Sequence, residues 1–301
     1  MNVLEITNLT KRYGKLTAVN NLNLTVKAGQ VFGVLGPNGS GKTTTLGCVL
    51  GITKADFGDF TWFSGKYGAS PLRKVGALLE TPNFYTYLNA VDNLRIVAHL
   101  KQDLNNFDQR TEEILKTVNL WHRRDTPFKA YSLGMKQRLA IASTLVGDPD
   151  LMIFDEPTNG LDPTGIAEVR QSILNIAASG KTIIIASHML DEVEKVCSDV
   201  AIIKNGNLLA QGSVGGILKQ QPTIEIAAKD LDILGGMLAD INFVEKIEKM
   251  SNGHLSVQLS EGKNAFDISQ LVFEKGIVLT HLNEKKRRLE EEFLAITAKA
   301  S

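Results

Sequence analysis

The chain has 301 residues, with 33 Lys and Arg set against 33 Asp and Glu, and 43% of its residues are hydrophobic. That composition excludes a disordered or fibrous protein, and the balanced charge gives no overall field toward nucleic acid or an anionic membrane surface. The length suits two domains, so function must come from specific sites within them.

The N-terminus runs directly into the strand-like Val3-Leu4-Glu5-Ile6, without the basic and then apolar segments of a secretory signal, which points to the cytosol. Alternating Leu22, Leu24 and Val26 predict a half-buried strand, and Gln30 to Leu35 a fully buried one that ends at the glycines from Gly36. A helix is expected from about Lys42. Further buried strands are predicted at Val75 to Leu79, Leu151 to Asp155, Thr182 to Ser187 and Val200 to Ile203, and strands alternating with helices argue for an α/β sheet. Between Pro82 and about Gly147 the pattern is helical, with Asn89 capping a helix through Lys101, so a helical subdomain (about 82–147) is expected to interrupt the sheet domain (1–215).

Turn residues from Gly215 to Pro222 mark a boundary, and 222–301 reads as a separate accessory module. Strands at Thr223 to Ala227, Val244 to Met250, His254 to Ser260 and Ile277 to Leu282, with helices at Leu231 to Ala239 and Ala265 to Glu274, give the order βαββαβ of a small ferredoxin-like α+β domain. A last helix is expected to carry Leu282, Leu289, Phe293 and Ile296 on one stripe, the basic run Lys285 to Arg288 lying on its solvated face. The apolar stretches are all much shorter than the roughly 18 residues that span a bilayer. The two cysteines, Cys48 and Cys197, have no metal-ligand spacing and read as buried thiols.

Gly36-Pro37-Asn38-Gly39-Ser40-Gly41-Lys42-Thr43 fits the phosphate-loop pattern GxxxxGK[ST] between a buried strand and a helix. Its glycines let backbone N–H groups and the helix N-terminus face negative charge, with Thr44 next in line. Lys42 should reach the β and γ phosphates, and the Thr43 hydroxyl should ligate Mg²⁺. Leu151 to Glu156 is a buried strand ending in two acids at the edge where ligands bind in such sheets. Asp155 there can hold Mg²⁺ through water, and Glu156 can act as general base on the attacking water. Ser132, in Tyr131-Ser132-Leu133-Gly134-Met135-Lys136-Gln137-Arg138, is a good helix N-cap.

With that last segment the sequence resembles the ABC ATPase family, whose signature is LSGGQ followed by QR. Ser132, Gly134, Gln137 and Arg138 match it, while Tyr131, Leu133 and Met135 depart from its first, third and fifth positions. Further matches follow in family order. Gly160-Leu161-Asp162 is similar to the D-loop, His188 stands where the family has a switch histidine, and Tyr13 stands where a ring stacks on adenine. Glu80 occupies the Q-loop position, where most of the family has glutamine, and can still bind a metal or its water. The Glu form, the signature variant and the ending Leu289 to Leu294 resemble the exporter ATPases of peptide antibiotics, drugs and lantibiotics.

The resemblance implies a P-loop fold of ABC type and ATP hydrolysis with Mg²⁺. It also implies a homodimer, or a dimer with a related ATPase subunit, in which Ser132 and Gly134 face the nucleotide held by the other copy. Integral membrane permease subunits would be the partners, and they would hold the chain against the inner face of the cell membrane. An ATPase of the same fold outside transport is the alternative. Such proteins usually carry long coiled coils or two ATPase domains, and neither pattern is present. A nucleotide sensor without turnover is disfavoured by the presence of both Glu156 and His188.

Overall fold

The computed structural model describes residues 1–79, 84–218, 223–260, 262–285 and 289–299. The chain divides into two compact units, one of Met1–Val214 with Phe293–Ser301 and one of Gly215–Glu292. The expected accessory domain thus loses its last nine residues to the first unit, where Lys204 Nζ donates to the Thr297 carbonyl at 2.7 Å.

In chain order the first unit contains β1 (Asn2–Tyr13), β2 (Leu16–Lys27), β3 (Val31–Leu35), α1 (Lys42–Val49), β4 (Phe57–Trp62) and β5 (Val75–Leu78). Then come α2 (Ala90–Leu100), α3 (Phe107–Thr117), α4 (Leu133–Leu145), β6 (Leu151–Asp155), α5 (Pro163–Ala178), β7 (Thr182–Ser187), α6 (Leu190–Val196), β8 (Asp199–Lys204) and β9 (Asn207–Ser213). Strands β3, β6 and β7 are unbroken apolar runs because both faces of their sheet are covered, and β3 and β7 are buried at every position. The sheet order is β5-β6-β7-β3-β8-β9, parallel except for the antiparallel edge strand β9. Because β6, β7 and β3 are neighbours, the residues that follow each of them emerge side by side at one edge.

A second, antiparallel sheet of order β2-β1-β4 packs its buried Leu4, Ile6, Leu22, Leu24 and Trp62 into the same core as Phe32, Val34 and Leu46. The expected helical insertion comprises α2, α3 and α4. Asn89 caps α2 by accepting from the Asp92 N–H at 2.9 Å, and Lys101 is its C-cap.

The chain passes between units through α7 (Val214–Ile217). The second unit holds β10 (Thr223–Ala228), α8 (Leu231–Ala239), β11 (Val244–Lys249), β12 (Leu255–Leu259), α9 (Ala265–Glu274) and β13 (Leu279–Lys285), and α10 (Leu289–Lys299) ends the chain. Its antiparallel sheet has the order β11-β12-β10-β13, the ferredoxin-like arrangement expected from βαββαβ. Ile224 and Ile226 on β10 bury one face of that sheet against Leu234 and Leu238 of α8 and Ile268 and Val272 of α9. Leu282, expected both at the end of a strand and on the stripe of the last helix, lies inside β13, opposite Ile226, so only the strand reading holds. Strand pairing to β10 continues past the apolar run that ended the predicted strand, and it takes in the polar residues through Lys285.

Candidate functional site

The phosphate loop leaves β3 at Leu35 and enters α1 at Lys42. At Gly36 a side chain has no room, since a Cβ would sit 2.3 Å from the Ile203 carbonyl oxygen and 2.4 Å from Ser40 Oγ. Gly41 has φ +103 and lies against the Ala18 carbonyl, so the turn needs glycine both for backbone conformation and for space. The loop folds over its own lysine. Lys42 is 5% exposed, and its Nζ donates to the carbonyls of Gly36 at 2.8 Å and Pro37 at 3.2 Å.

The ends of β6 and β7 face this lysine. Glu156 Oε1 lies 3.4 Å from Lys42 Nζ, and Glu156 Oε2 lies 2.8 Å from His188 Nδ1, so one carboxylate bridges the phosphate loop and the end of β7. The carboxylate's position is fixed by its backbone. Glu156 has φ +48, and its N–H donates to the Ala186 carbonyl at 2.9 Å. Next to it, the Thr43 hydroxyl donates to Asp155 Oδ2 at 2.6 Å. Burial pushes the Asp155 carboxyl above the usual carboxylate range; the Thr43 hydrogen bond opposes this, the Glu156 charge adds to it, and Lys42 opposes it. Three buried oxygens here, Ser40 Oγ, Asp155 Oδ1 and Glu156 Oε1, have no hydrogen-bond partner among the described residues.

A groove of about 310 Å³ runs along the loop, lined by residues 38–44 and by Glu156, with Tyr13, Leu16 and Ala18 on its other wall. Tyr13 is 49% exposed at the end of β1, where a flat ring can meet a base. Sequence reasoning missed Leu16 and Ala18. They open β2 and carry no motif, and only the hairpin from β1 to β2 brings them beside Tyr13.

The signature segment is a built helix start. Ser132 caps α4, its Oγ accepting from the Met135 N–H at 3.2 Å, and Gly134 is buried in the first turn. Two residues of the segment are structural. Tyr131 is buried and donates to the Arg123 carbonyl at 2.9 Å, and burial pushes its hydroxyl up to about 12. Arg138, buried, donates to the carbonyls of Val118 at 3.1 Å and Asn119 at 2.8 Å and pairs with Glu168 at 3.0 Å. Asp162 caps α5, accepting from the Gly165 N–H at 2.9 Å. No residue of the signature segment lines the groove. The Q-loop position Glu80 lies outside the described residues. A contact absent from the motifs, Arg170 Nη1 with both Glu192 oxygens at 2.8 and 2.9 Å, ties α5 to α6 just after His188.

The family model described as ABC transporter matches residues 19–159, which include the loop, the signature segment and both acids. The bacitracin transport ATP-binding protein BcrA of Enterococcus faecalis is 34% identical over 303 residues, covering 97% of this chain and 95% of the relative. This chain belongs to the ATP-binding subunits of ABC transporters. The lantibiotic transport ATP-binding protein SrtF of Streptococcus pyogenes is 38% identical over 214 residues, 71% of this chain and 92% of that one. The structure of cbiO1 from Clostridium perfringens, part of the ABC transporter complex cbiONQ, superposes with a TM-score of 0.64 at 30% identity, over 70% of this chain and 88% of that chain. As an ABC ATPase subunit the chain binds and hydrolyses ATP in the service of transport, and a non-transport role is set aside. Among the described residues no helix is long and apolar enough to cross a membrane.

Proposed function

We propose that two copies of this chain close on two ATP molecules with Mg²⁺, each site joining the phosphate loop of one copy to the signature segment of the other. Closing and reopening then drive membrane permease subunits. The observation that carries this reading is the set of buried oxygens that find no hydrogen-bond partner among the described residues, Ser40 Oγ, Asp155 Oδ1 and Glu156 Oε1, the last of them 3.4 Å from the buried Lys42 Nζ. Buried oxygens are costly when unpaired, and a triphosphate with a hydrated cation supplies the charge and donors that these lack. The donor set fits Mg²⁺, being a hydroxyl from Thr43 and a carboxylate from Asp155, all hard oxygen. When bound, that ion neutralises phosphate charge.

The chain's own residues divide the remaining work. Lys42 exchanges its contacts with the Gly36 and Pro37 carbonyls for the β and γ phosphates, while N–H groups of the loop and of the α1 N-terminus face the same charge. Tyr13 stacks on the base. Glu156 takes a proton from water as the water oxygen bonds to the γ phosphorus and the bond to the β-phosphate oxygen breaks, releasing ADP and phosphate. His188 holds the carboxylate in line for that transfer. Ser132 Oγ already accepts from Met135 N–H, which leaves its own proton to donate to a γ-phosphate of the other copy, with Gly134 N–H beside it. Asp162 lies at the same interface. Glu80 takes the coupling role that the family resemblance gives to the Q-loop position in the sequence.

The relatives named for bacitracin and lantibiotic transport favour outward movement of a peptide antibiotic as the cargo step, with the chain held on the inner face of the membrane by its permease. The composite site is tested by mixing chains. Ser132→Arg and Lys42→Ala proteins are each inactive alone, but a mixed dimer keeps one intact site. An equal mixture should therefore recover up to about a quarter of wild-type hydrolysis under random pairing. Full hydrolysis by the Ser132→Arg protein alone, or by wild-type chains at dilutions where no dimer persists, would overturn the reading.

A further inference from the structure

We propose that the face of the second unit's sheet turned away from α8 and α9 carries a binding site for a divalent transition-metal cation, made by Glu225, His254 and His281. The topology assembles it. Strand β10 is central, with Ile226 opposite Leu255 of β12 on one side and Ala227 opposite His281 of β13 on the other. His254 immediately precedes Leu255, so the two histidines flank Ala227 across the central strand. Glu225 is two residues back from Ala227 and therefore on the same face. The other face, through Ile224 and Ile226, is sealed by α8 and α9, so these three polar side chains share the side of the sheet away from that core.

The geometry is convergent. One ligand atom from each residue lies within 4.8 Å of the others. The imidazole rings stack with centroids 4.2 Å apart and 21° between planes, and His281 Nε2 is 4.0 Å from Glu225 Oε2. His281 Nε2 is a buried atom that finds no hydrogen-bond partner among the described residues and faces that carboxylate, a position that is costly unless something completes it. Asn252 Oδ1 accepts from the His254 N–H at 3.1 Å and pins the turn that delivers the second ring.

Two imidazoles and a carboxylate form the donor set of zinc, cobalt, nickel or copper, whereas Mg²⁺ and Ca²⁺ take oxygen alone. Bond lengths of about 2.0–2.2 Å in a tetrahedral site put ligand atoms roughly 3.3–3.6 Å apart, so side-chain rotations of about an ångström bring the three into place. A groove of about 210 Å³ reaches Glu225, with Thr223, Lys246 and Ser256 also in its lining, and gives an ion a solvent path to that carboxylate. All three ligands belong to the second unit, and the ATPase motifs belong to the first.

The test uses the full chain, stripped of metal by a chelator and titrated with Co²⁺, whose visible absorption reports tetrahedral binding, followed by competition with Zn²⁺. Wild type and a His188→Ala control should each take up one Co²⁺ with this absorption and release it to Zn²⁺. Losing even a partner behind a metal ligand costs roughly 10–100-fold in affinity, so His254→Asn, His281→Asn and Glu225→Gln should each weaken binding by at least about tenfold. ATP hydrolysis by these three should match wild type, which also shows that they are folded. Wild-type protein that binds no Co²⁺ would overturn the site whatever the variants do. So would unchanged affinity in His281→Asn, or loss of binding in His188→Ala alone.

Discussion

His188→Ala isolates the contact on which the general base depends. In the folded chain His188 Nδ1 meets Glu156 Oε2 at 2.8 Å, while the His188 backbone N–H reaches the same oxygen at 3.4 Å and survives the substitution. Glu156 also keeps Lys42 at 3.4 Å and its backbone bond to Ala186, so the carboxylate stays in the site and loses only its orientation. A hydrogen bond to a charged group contributes about 1.5–3 kcal/mol. The imidazole is 39% exposed, so solvent screening favours the low end, about 1.5–2 kcal/mol. If that orientation matters only in the transition state, kcat falls by about 10–30-fold. The assay is single-turnover phosphate release beside fluorescent-nucleotide binding, with ATP affinity expected within about threefold of wild type. A kcat loss below threefold, or an affinity loss as large as the rate loss, would refute the positioning role.

Asp155→Asn should stop Mg²⁺-dependent hydrolysis yet raise the melting temperature of the nucleotide-free protein. Burial raises this carboxyl's pKa, so its charged form penalises the fold at neutral pH, and the penalty shrinks as pH falls through the raised value. A melting temperature below wild type at pH 7 would contradict this. Arg138→Met deprives two carbonyls and Glu168 of their donor and should cost about 2–4 kcal/mol in urea denaturation, whereas a loss below 1 kcal/mol would mean that water replaces the arginine. Gly36→Ala forces a methyl against the Ile203 carbonyl and Ser40, at about 1–3 kcal/mol of overpacking, and should weaken ATP binding about tenfold or more. Unchanged affinity would show that the loop can move aside.

The central strands were legible because burial on both faces writes itself as runs such as Thr182 to Ala186, and the residues that follow those runs then had to emerge at one edge. Three short motifs far apart in sequence converge for that reason, with Thr43 on Asp155 and Lys42 and His188 on Glu156. Strand β4 was not legible. Its Phe57-Gly58-Asp59-Phe60-Thr61-Trp62 is largely exposed and pairs with β1, so neither an apolar run nor a clean alternation marks it. Strand β9 was missed for a related reason, as an edge strand with mostly half-buried residues and no burial signal of its own. Leu282 fits both the end of a strand and, by its spacing to Leu289, Phe293 and Ile296, a helical stripe, and pairing with β10 decides for the strand. The triad of Glu225, His254 and His281 has no local spacing at all, since sheet register alone brings it together.

The composite ATPase is tested most directly by Glu156→Gln, observed by sedimentation with ATP and Mg²⁺ alongside phosphate release. The amide can hold water but cannot take its proton, so turnover should fall by about 10²-fold or more while ATP, and not ADP, converts the chain to a stable dimer. Phosphate release within threefold of wild type would remove Glu156 from the base role. A chain that stays monomeric with ATP bound would contradict the shared site.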